Sequence, residues 1–108
     1  MAHAWAKGGP SRLNKVTTCA KSLAAAIVGE HSYPTCRETT QALVQVDDTA
    51  IARAMHHLIF QAKLVAEPGA AVGVAALLED AVTLPPEGDI VVVVTGGNMS
   101  QEELETFL

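Results

Sequence analysis

The amino-acid sequence predicts an α/β fold that forms part of a three-layer sandwich, with helices on the two faces of a mostly parallel sheet. Five consecutive branched aliphatic residues, Ile90–Val94, are typical of a strand buried on both faces. They run into a glycine turn and then a helix, which is the order found in open parallel sheets. Hydrophobic residues make up 49% of the chain and aromatic residues only 4%, so the core must consist of small aliphatic side chains.

Each helix or strand is predicted from its own local pattern. The N-terminal segment, residues 1–15, reads as a short helix followed by a loop. The alanine-rich residues 20–28 predict a helix ended by Gly29, and residues 35–40 predict a short helix that starts at Pro34. Residues 42–46 alternate apolar and polar side chains, which predicts a strand.

The best-defined element is a helix that Asp47 or Asp48 can cap. Its apolar positions keep the spacing of one helical face; they are Ile51, Ala54, Met55, Leu58, Ala62 and Val65. Its two histidines, His56 and His57, are adjacent and cannot both face one metal ion.

Two further helices follow. Residues 70–78 are apolar all round, which predicts a short helix buried on most sides. After the strand Ile90–Val94 and the turn, a helix begins at Ser100, because Ser100 and Glu103 stand at the spacing of a capping box.

Length and charge exclude several classes of protein. The 108 residues suffice for one domain, so we expect a single partial domain over residues 1–108. A net charge of −5 without a basic cluster argues against nucleic-acid binding. The longest apolar stretches, residues 24–28 and 90–94, are far below the roughly 20 residues that a membrane span requires.

The cysteines and the N-terminal residues point to a cytoplasmic protein without a metal site. Residues 1–12 contain no apolar stretch of the kind found in secretory signals. Cys19 and Cys36 form no CxxC motif and are expected to be free thiols.

Three segments resemble the serine/threonine dehydratase and serine racemase family, whose members are fold-type II pyridoxal phosphate enzymes. Residues 63–76, KLVAEPGAAVGVAA, are similar to the family's K-L-x-x-E-P stretch with its alanine-rich helix. Residues 91–98, VVVVTGGN, are similar to V-x-x-S-G-G-N, with Thr95 in place of serine. Residues 44–55 look like the strand and helix that precede these motifs. The resemblance covers nearly the whole chain but only the C-terminal third of a family member, within its large domain.

The resemblance implies pyridoxal phosphate as cofactor and five cofactor-binding residues, Thr95, Gly96, Gly97, Asn98 and Glu67. The hydroxyl at the Thr95 position would hydrogen-bond the pyridine nitrogen of the cofactor. Because a hydroxyl does not stabilise a protonated ring, the ring would be a weaker electron sink, which favours elimination of a β-leaving group. Gly96 and Gly97 would let the backbone pass close to the ring, while Asn98 would brace the turn. Glu67 would lie near the ring and order the pocket. A loop over residues 16–24 also resembles the family, but Lys21 and Ser22 replace its Asp and Gly, so no role is carried over.

The motifs that complete a family member's site are absent. The family uses a Schiff-base lysine and a phosphate loop of several glycines, and none of the four lysines stands in such a segment. These are Lys7, Lys15, Lys21 and Lys63. We therefore expect no catalytic residue here and an inactive C-terminal fragment of an L-serine/L-threonine ammonia-lyase that gives a 2-oxo acid. Such a fragment should expose apolar surface and associate as a homo-oligomer or with a partner chain.

Two other interpretations remain open on the sequence. In one, a small non-enzymatic α/β module binds an anionic ligand at the Gly96–Gly97 turn, beside the helix that begins at Ser100. In the other, a structural module dimerises through exposed strand edges.

Overall fold

Helices joined by irregular segments form the whole protein. A computed structural model describes all 108 residues. In chain order the elements are α1 (Ala2–Lys7), a 3-10 turn (Lys21–Leu23), α2 (Ser32–Thr39), α3 (Asp48–His57), a π-helical turn (Leu58–Ala62), α4 (Pro68–Leu78) and α5 (Gln101–Glu105). The predicted helices α1, α2, α3, α4 and α5 are therefore confirmed.

The core lies between α3 and α4. Asp47 caps α3, because its carboxylate accepts a hydrogen bond of 2.7 Å from the Ala50 backbone N–H. The predicted apolar face of α3 is buried as far as Leu58. The π-helical turn then changes the spacing and ends at Lys63, which has a positive φ of 58°. Ala62 and Val65 consequently lie exposed rather than on the buried face.

Helix α4 packs closely because its side chains are small. Pro68 is its first residue, where the missing N–H costs no hydrogen bond. Its buried residues are all alanine: Ala70, Ala71, Ala75 and Ala76. Gly73 also lacks a side chain, and a Cβ there would lie 2.9 Å from the Cγ1 of Val92. This gap lets the segment 90–94 rest against α4.

The two predicted strands are not formed, and this prediction was wrong for the chain as it stands. Neither residues 42–46 nor residues 90–94 make backbone hydrogen bonds to another segment. A strand exists only where a neighbouring strand supplies donors and acceptors, and the chain places no such neighbour beside either segment. The predicted three-layer sandwich is therefore not confirmed.

The alanine-rich residues 20–28 also differ from the prediction. Only Lys21–Leu23 is helical, as a single 3-10 turn. The segment instead contacts the N-terminal loop, where the Leu13 backbone N–H donates a hydrogen bond of 2.8 Å to the Ala26 carbonyl. Alanine propensity alone does not hold a helix of this length in water.

The buried core is small for the length of the chain. Twelve of the 108 residues are buried, and nine of these are alanine, at positions 4, 20, 50, 54, 66, 70, 71, 75 and 76. Met55 is the one large side chain that is fully buried. None of the helices combines the length and the apolar character that crossing a membrane requires.

Candidate functional site

The turn over residues 95–98 is fixed to the start of α4 by backbone contacts. The Glu67 backbone N–H donates a hydrogen bond of 3.1 Å to the Gly96 carbonyl. Within the turn, the Met99 N–H donates to the Gly97 carbonyl at 2.9 Å. The turn thus has a defined position although the segment before it is unpaired.

Both glycines of the turn have close neighbours. Gly96 has a φ of 75°, which L side chains rarely adopt. A Cβ on Gly96 would lie 2.6 Å from the carboxylate carbon of Glu67. A Cβ on Gly97 would lie 3.3 Å from the carbonyl oxygen of Val65. The Glu67 side chain therefore packs directly against the backbone of the turn.

A cavity of about 310 Å³ opens beside this contact. Its walls come from the 3-10 turn, the start of α4, the end of the glycine turn and α5. The lining residues are Cys19, Lys21, Ser22, Glu67, Pro68, Gly69, Asn98, Met99, Glu103, Thr106 and Phe107. Gly69 lies against Ser22, because a Cβ at that position would collide with the hydroxyl of Ser22.

The cationic group of the cavity is neutralised by an ion pair. The Lys21 ammonium donates to the Glu103 carboxylate at 2.7 Å. This hydrogen bond and the charge of Glu103 raise the pKa of Lys21. The hydrogen bond from Lys21, together with one from the Ser100 backbone, lowers the pKa of Glu103. Lys21 is consequently protonated at neutral pH and is a poor nucleophile.

The thiol in the cavity wall has a raised pKa. Burial, and then the negative charge of Asp48, raise the pKa of Cys19, so the thiolate is disfavoured. The Asp48 carboxylate accepts hydrogen bonds from the Thr18 hydroxyl at 2.6 Å and from the Cys19 backbone N–H at 3.0 Å. These two hydrogen bonds lower the pKa of Asp48, and the bond from Thr18 has the larger effect. Asp48 thereby ties the loop before the 3-10 turn to the start of α3.

The five predicted site residues do not all face the cavity. Glu67 and Asn98 line it, while Thr95, Gly96 and Gly97 do not. Thr95 is exposed, and its hydroxyl takes no part in the side-chain hydrogen bonds made around the turn. The Asn98 amide does not brace the turn as expected; the backbone bonds described above do so.

Sequence reasoning missed the Lys21–Glu103 pair and the contact of Asp48 with the loop at Thr18. The pair joins residues 82 positions apart, and no sequence pattern links them. The sequence did contain a signal for the contact of Asp48, because two adjacent aspartates fit a helix cap and only one of them is needed for it. Asp47 provides the cap and Asp48 is free to bind the distant loop.

The comparisons with known proteins agree on one family. The model of the family described as pyridoxal-phosphate dependent enzyme matches residues 1–96. The chain is 38% identical to phenylserine dehydratase of Ralstonia pickettii over 71 residues, which are 66% of this chain and 22% of that protein. It is 31% identical to the biosynthetic L-threonine dehydratase of Lactococcus lactis over 100 residues, which are 91% of this chain and 23% of that protein.

A solved structure matches the fold as well. Maize serine racemase superimposes with a TM-score of 0.85 at 31% identity, over 97% of this chain and 33% of that one. The chain therefore spans less than a quarter of the length of the two curated relatives and a third of the solved structure. Because the family model covers residues 1–96, this chain belongs to the family of pyridoxal-phosphate dependent enzymes.

Proposed function

We propose that this chain forms one wall of a pyridoxal phosphate site, the wall that contacts the ring nitrogen of the cofactor. The enzyme is a dehydratase acting on L-serine, L-threonine or a related β-hydroxy amino acid. The reaction gives a 2-oxo acid and ammonia, and the chain by itself is inactive. The observation that carries the proposal is the free Thr95 hydroxyl at the start of a glycine turn whose backbone is hydrogen-bonded to Glu67.

The residues present fit the ring side of the cofactor. Thr95 offers a hydroxyl that makes no side-chain hydrogen bond, and the missing Cβ of Gly96 leaves the space in which the Glu67 carboxylate lies against the turn. When bound, pyridoxal phosphate supplies the electron sink for the loss of a β-leaving group. In this proposal the Thr95 hydroxyl donates to the pyridine nitrogen, and Glu67 holds the turn so that this hydroxyl is positioned.

The remaining requirements of the site are not met by this chain. Lys21 is the lysine that lines the cavity, and its ammonium is held protonated by Glu103. No segment of consecutive glycines longer than a pair is available for the phosphate. The covalent attachment and the phosphate loop must come from the part of the enzyme outside these residues, which supports inactivity of the chain alone.

The test uses a chimera in which this chain replaces the matching third of maize serine racemase. Thr95→Ala removes the hydroxyl and should cost about 1–3 kcal/mol of transition-state stabilisation, measured as kcat/KM. Thr95→Ser keeps the hydroxyl and should be close to the unchanged chimera in turnover and cofactor affinity. This pair separates a cofactor role from strand preference, because serine is a poorer strand residue than threonine.

Two outcomes of this experiment would contradict the proposal. In the first, the Thr95→Ala variant has the same turnover as the unchanged chimera. In the second, the Thr95→Ser variant loses as much turnover as the Thr95→Ala variant. Either result would mean that the hydroxyl has no role at the ring.

The anion-binding alternative is disfavoured by charge. The first turn of α5 carries Glu102 and Glu103, which repel a negative ligand at that helix end. The cavity likewise contains Glu67 and Glu103 against a single cation, Lys21.

A further inference from the structure

Asp48 lies outside the cavity but holds the loop that leads into it. One carboxylate oxygen of Asp48 accepts the hydrogen bond of 2.6 Å from the Thr18 hydroxyl, and the other accepts the bond of 3.0 Å from the Cys19 backbone N–H. Asp48 is the first residue of α3, and the buried residues of α3 all belong to the core. Both oxygens of one carboxylate therefore attach the loop to a well-packed helix.

The Thr18 hydroxyl connects Asp48 to the 3-10 turn. This hydroxyl donates to Asp48 and also accepts a hydrogen bond of 3.1 Å from the Ala20 backbone N–H. Ala20 is buried and directly precedes the turn Lys21–Leu23. The Leu23 N–H in turn donates to the Ala20 carbonyl at 3.0 Å. The contact at Asp48 thus fixes the residue from which the turn starts.

The 3-10 turn places two side chains in the cavity wall. The Lys21 ammonium donates to the Glu103 carboxylate of α5. The Ser22 hydroxyl lies against Gly69, near the start of α4. A Cβ on Gly69 would also lie 3.5 Å from a carboxylate oxygen of Glu67, so Ser22 and Glu67 flank the same backbone position. The turn therefore determines both the ion pair and the part of the wall beside Glu67.

We propose that Asp48 is a positioning residue of the cofactor site, which sets the place of Lys21 and Ser22 in the cavity wall through its contact with the loop. Asp48 does not line the cavity, so it acts only through the residues that do. Its two partners both donate, and a carboxylate supplies the two acceptor oxygens that they need. The neighbouring Asp47 already caps α3. The assignment of the cavity to a cofactor site rests on the proposed function, whereas the contact itself does not.

The first test measures the pKa of Lys21 by NMR titration in this chain. Asp48→Ala removes both acceptor oxygens. Thr18→Val removes the hydroxyl and keeps the shape and the zero charge of the side chain. In each variant the turn should lose its attachment and Lys21 should move away from Glu103. The raised pKa of Lys21 should consequently fall as far as it does in Glu103→Gln.

Two control variants separate the contact from charge and from folding. Thr18→Ser retains the hydroxyl, and Asp47→Asn removes one charge from the same helix end while retaining a cap. Neither control should change the pKa of Lys21. Because Thr18→Val changes no charge, a lower pKa in that variant reports a displaced lysine and not a lost carboxylate. Circular dichroism of all four variants checks that the helices are intact.

The second test measures cofactor affinity in the chimera with maize serine racemase. Asp48→Ala and Thr18→Val should each weaken the affinity for pyridoxal phosphate by about 5-fold, since each removes hydrogen bonds that hold the wall in place. Thr18→Ser and Asp47→Asn should bind the cofactor like the unchanged chimera.

Two results would overturn the proposal. If the pKa of Lys21 is unchanged in Asp48→Ala and Thr18→Val, the contact does not place the lysine. If this pKa falls but the cofactor affinity of the chimera stays the same, the contact does not serve the cofactor site. Failure of the proposed function gives a different pattern, in which Thr95→Ala is harmless while Asp48→Ala and Thr18→Val still lower the pKa of Lys21.

Discussion

At the scale of single residues, the site is organised by the close approach of Glu67 to a glycine turn. The Glu67 carboxylate carbon would be only 2.6 Å from a Cβ on Gly96, so a side chain there must displace the Glu67 carboxylate as well as adopt the φ of 75°. Gly8 has the same φ but open space around it. Comparing Gly96 with Gly8 therefore separates the cost of the positive φ from the cost of the contact with Glu67.

Gly96→Ala should therefore lower the free energy of unfolding more than Gly8→Ala. The positive φ alone should cost about 1–2 kcal/mol in each variant. The collision with Glu67 should add about 1–3 kcal/mol to Gly96→Ala. Urea unfolding of the two variants measures the difference, and equal costs would show that Glu67 moves aside freely.

The Lys21–Glu103 pair makes a second prediction at this scale. Glu103→Gln removes the charge that raises the pKa of Lys21, so this pKa should fall, as followed by NMR titration of the lysine side chain. Glu105→Gln is the control, because Glu105 lies in the same helix and accepts from Gln101 instead. The stabilising effect of the ion pair is lost when the pH falls through the lowered pKa of Glu103 or rises through the raised pKa of Lys21.

The same ion pair should keep the unchanged chain from forming a covalent bond with added pyridoxal phosphate. After removal of excess cofactor, the visible spectrum should show no stoichiometric band. A stoichiometric band that Lys21→Arg abolishes would refute this expectation.

At the scale of elements, α3 is the helix that its own sequence specifies most completely. Asp47 satisfies a backbone N–H at its start, and Ile51, Ala54 and Met55 bury its apolar face. Asp47→Ala should cost about 1 kcal/mol of folding free energy, while Asp47→Asn should be nearly neutral because asparagine also caps. Thermal unfolding followed by circular dichroism compares them; an equal loss in both would mean that the carboxylate charge matters more than the cap.

At the scale of the whole molecule, stability depends on a core made almost entirely of alanine. Met55 is the one large side chain that is fully buried, and it lies in the cluster between α3 and α4. Met55→Ala should cost about 2–5 kcal/mol, which is a large part of the total for a small domain. Leu108→Ala, at a position that is 63% exposed, should change stability by no more than about 0.5 kcal/mol. Denaturant unfolding tests both, and a small effect at Met55 would show that the core rearranges to fill the space.

The sequence by itself determined the positions of the five α-helices, the cap of α3, the capping box at Ser100 and the family. These features depend on local spacing or on motifs that lie close together in the chain. It could not determine whether residues 42–46 and 90–94 would pair as strands, because pairing depends on neighbours that are distant or absent. The tertiary structure alone decided that Lys21 meets Glu103, that Asp48 holds the loop at Thr18, and that Glu67 closes on Gly96. Such contacts arise only when α4 and its surrounding loops pack together, and no local pattern encodes them.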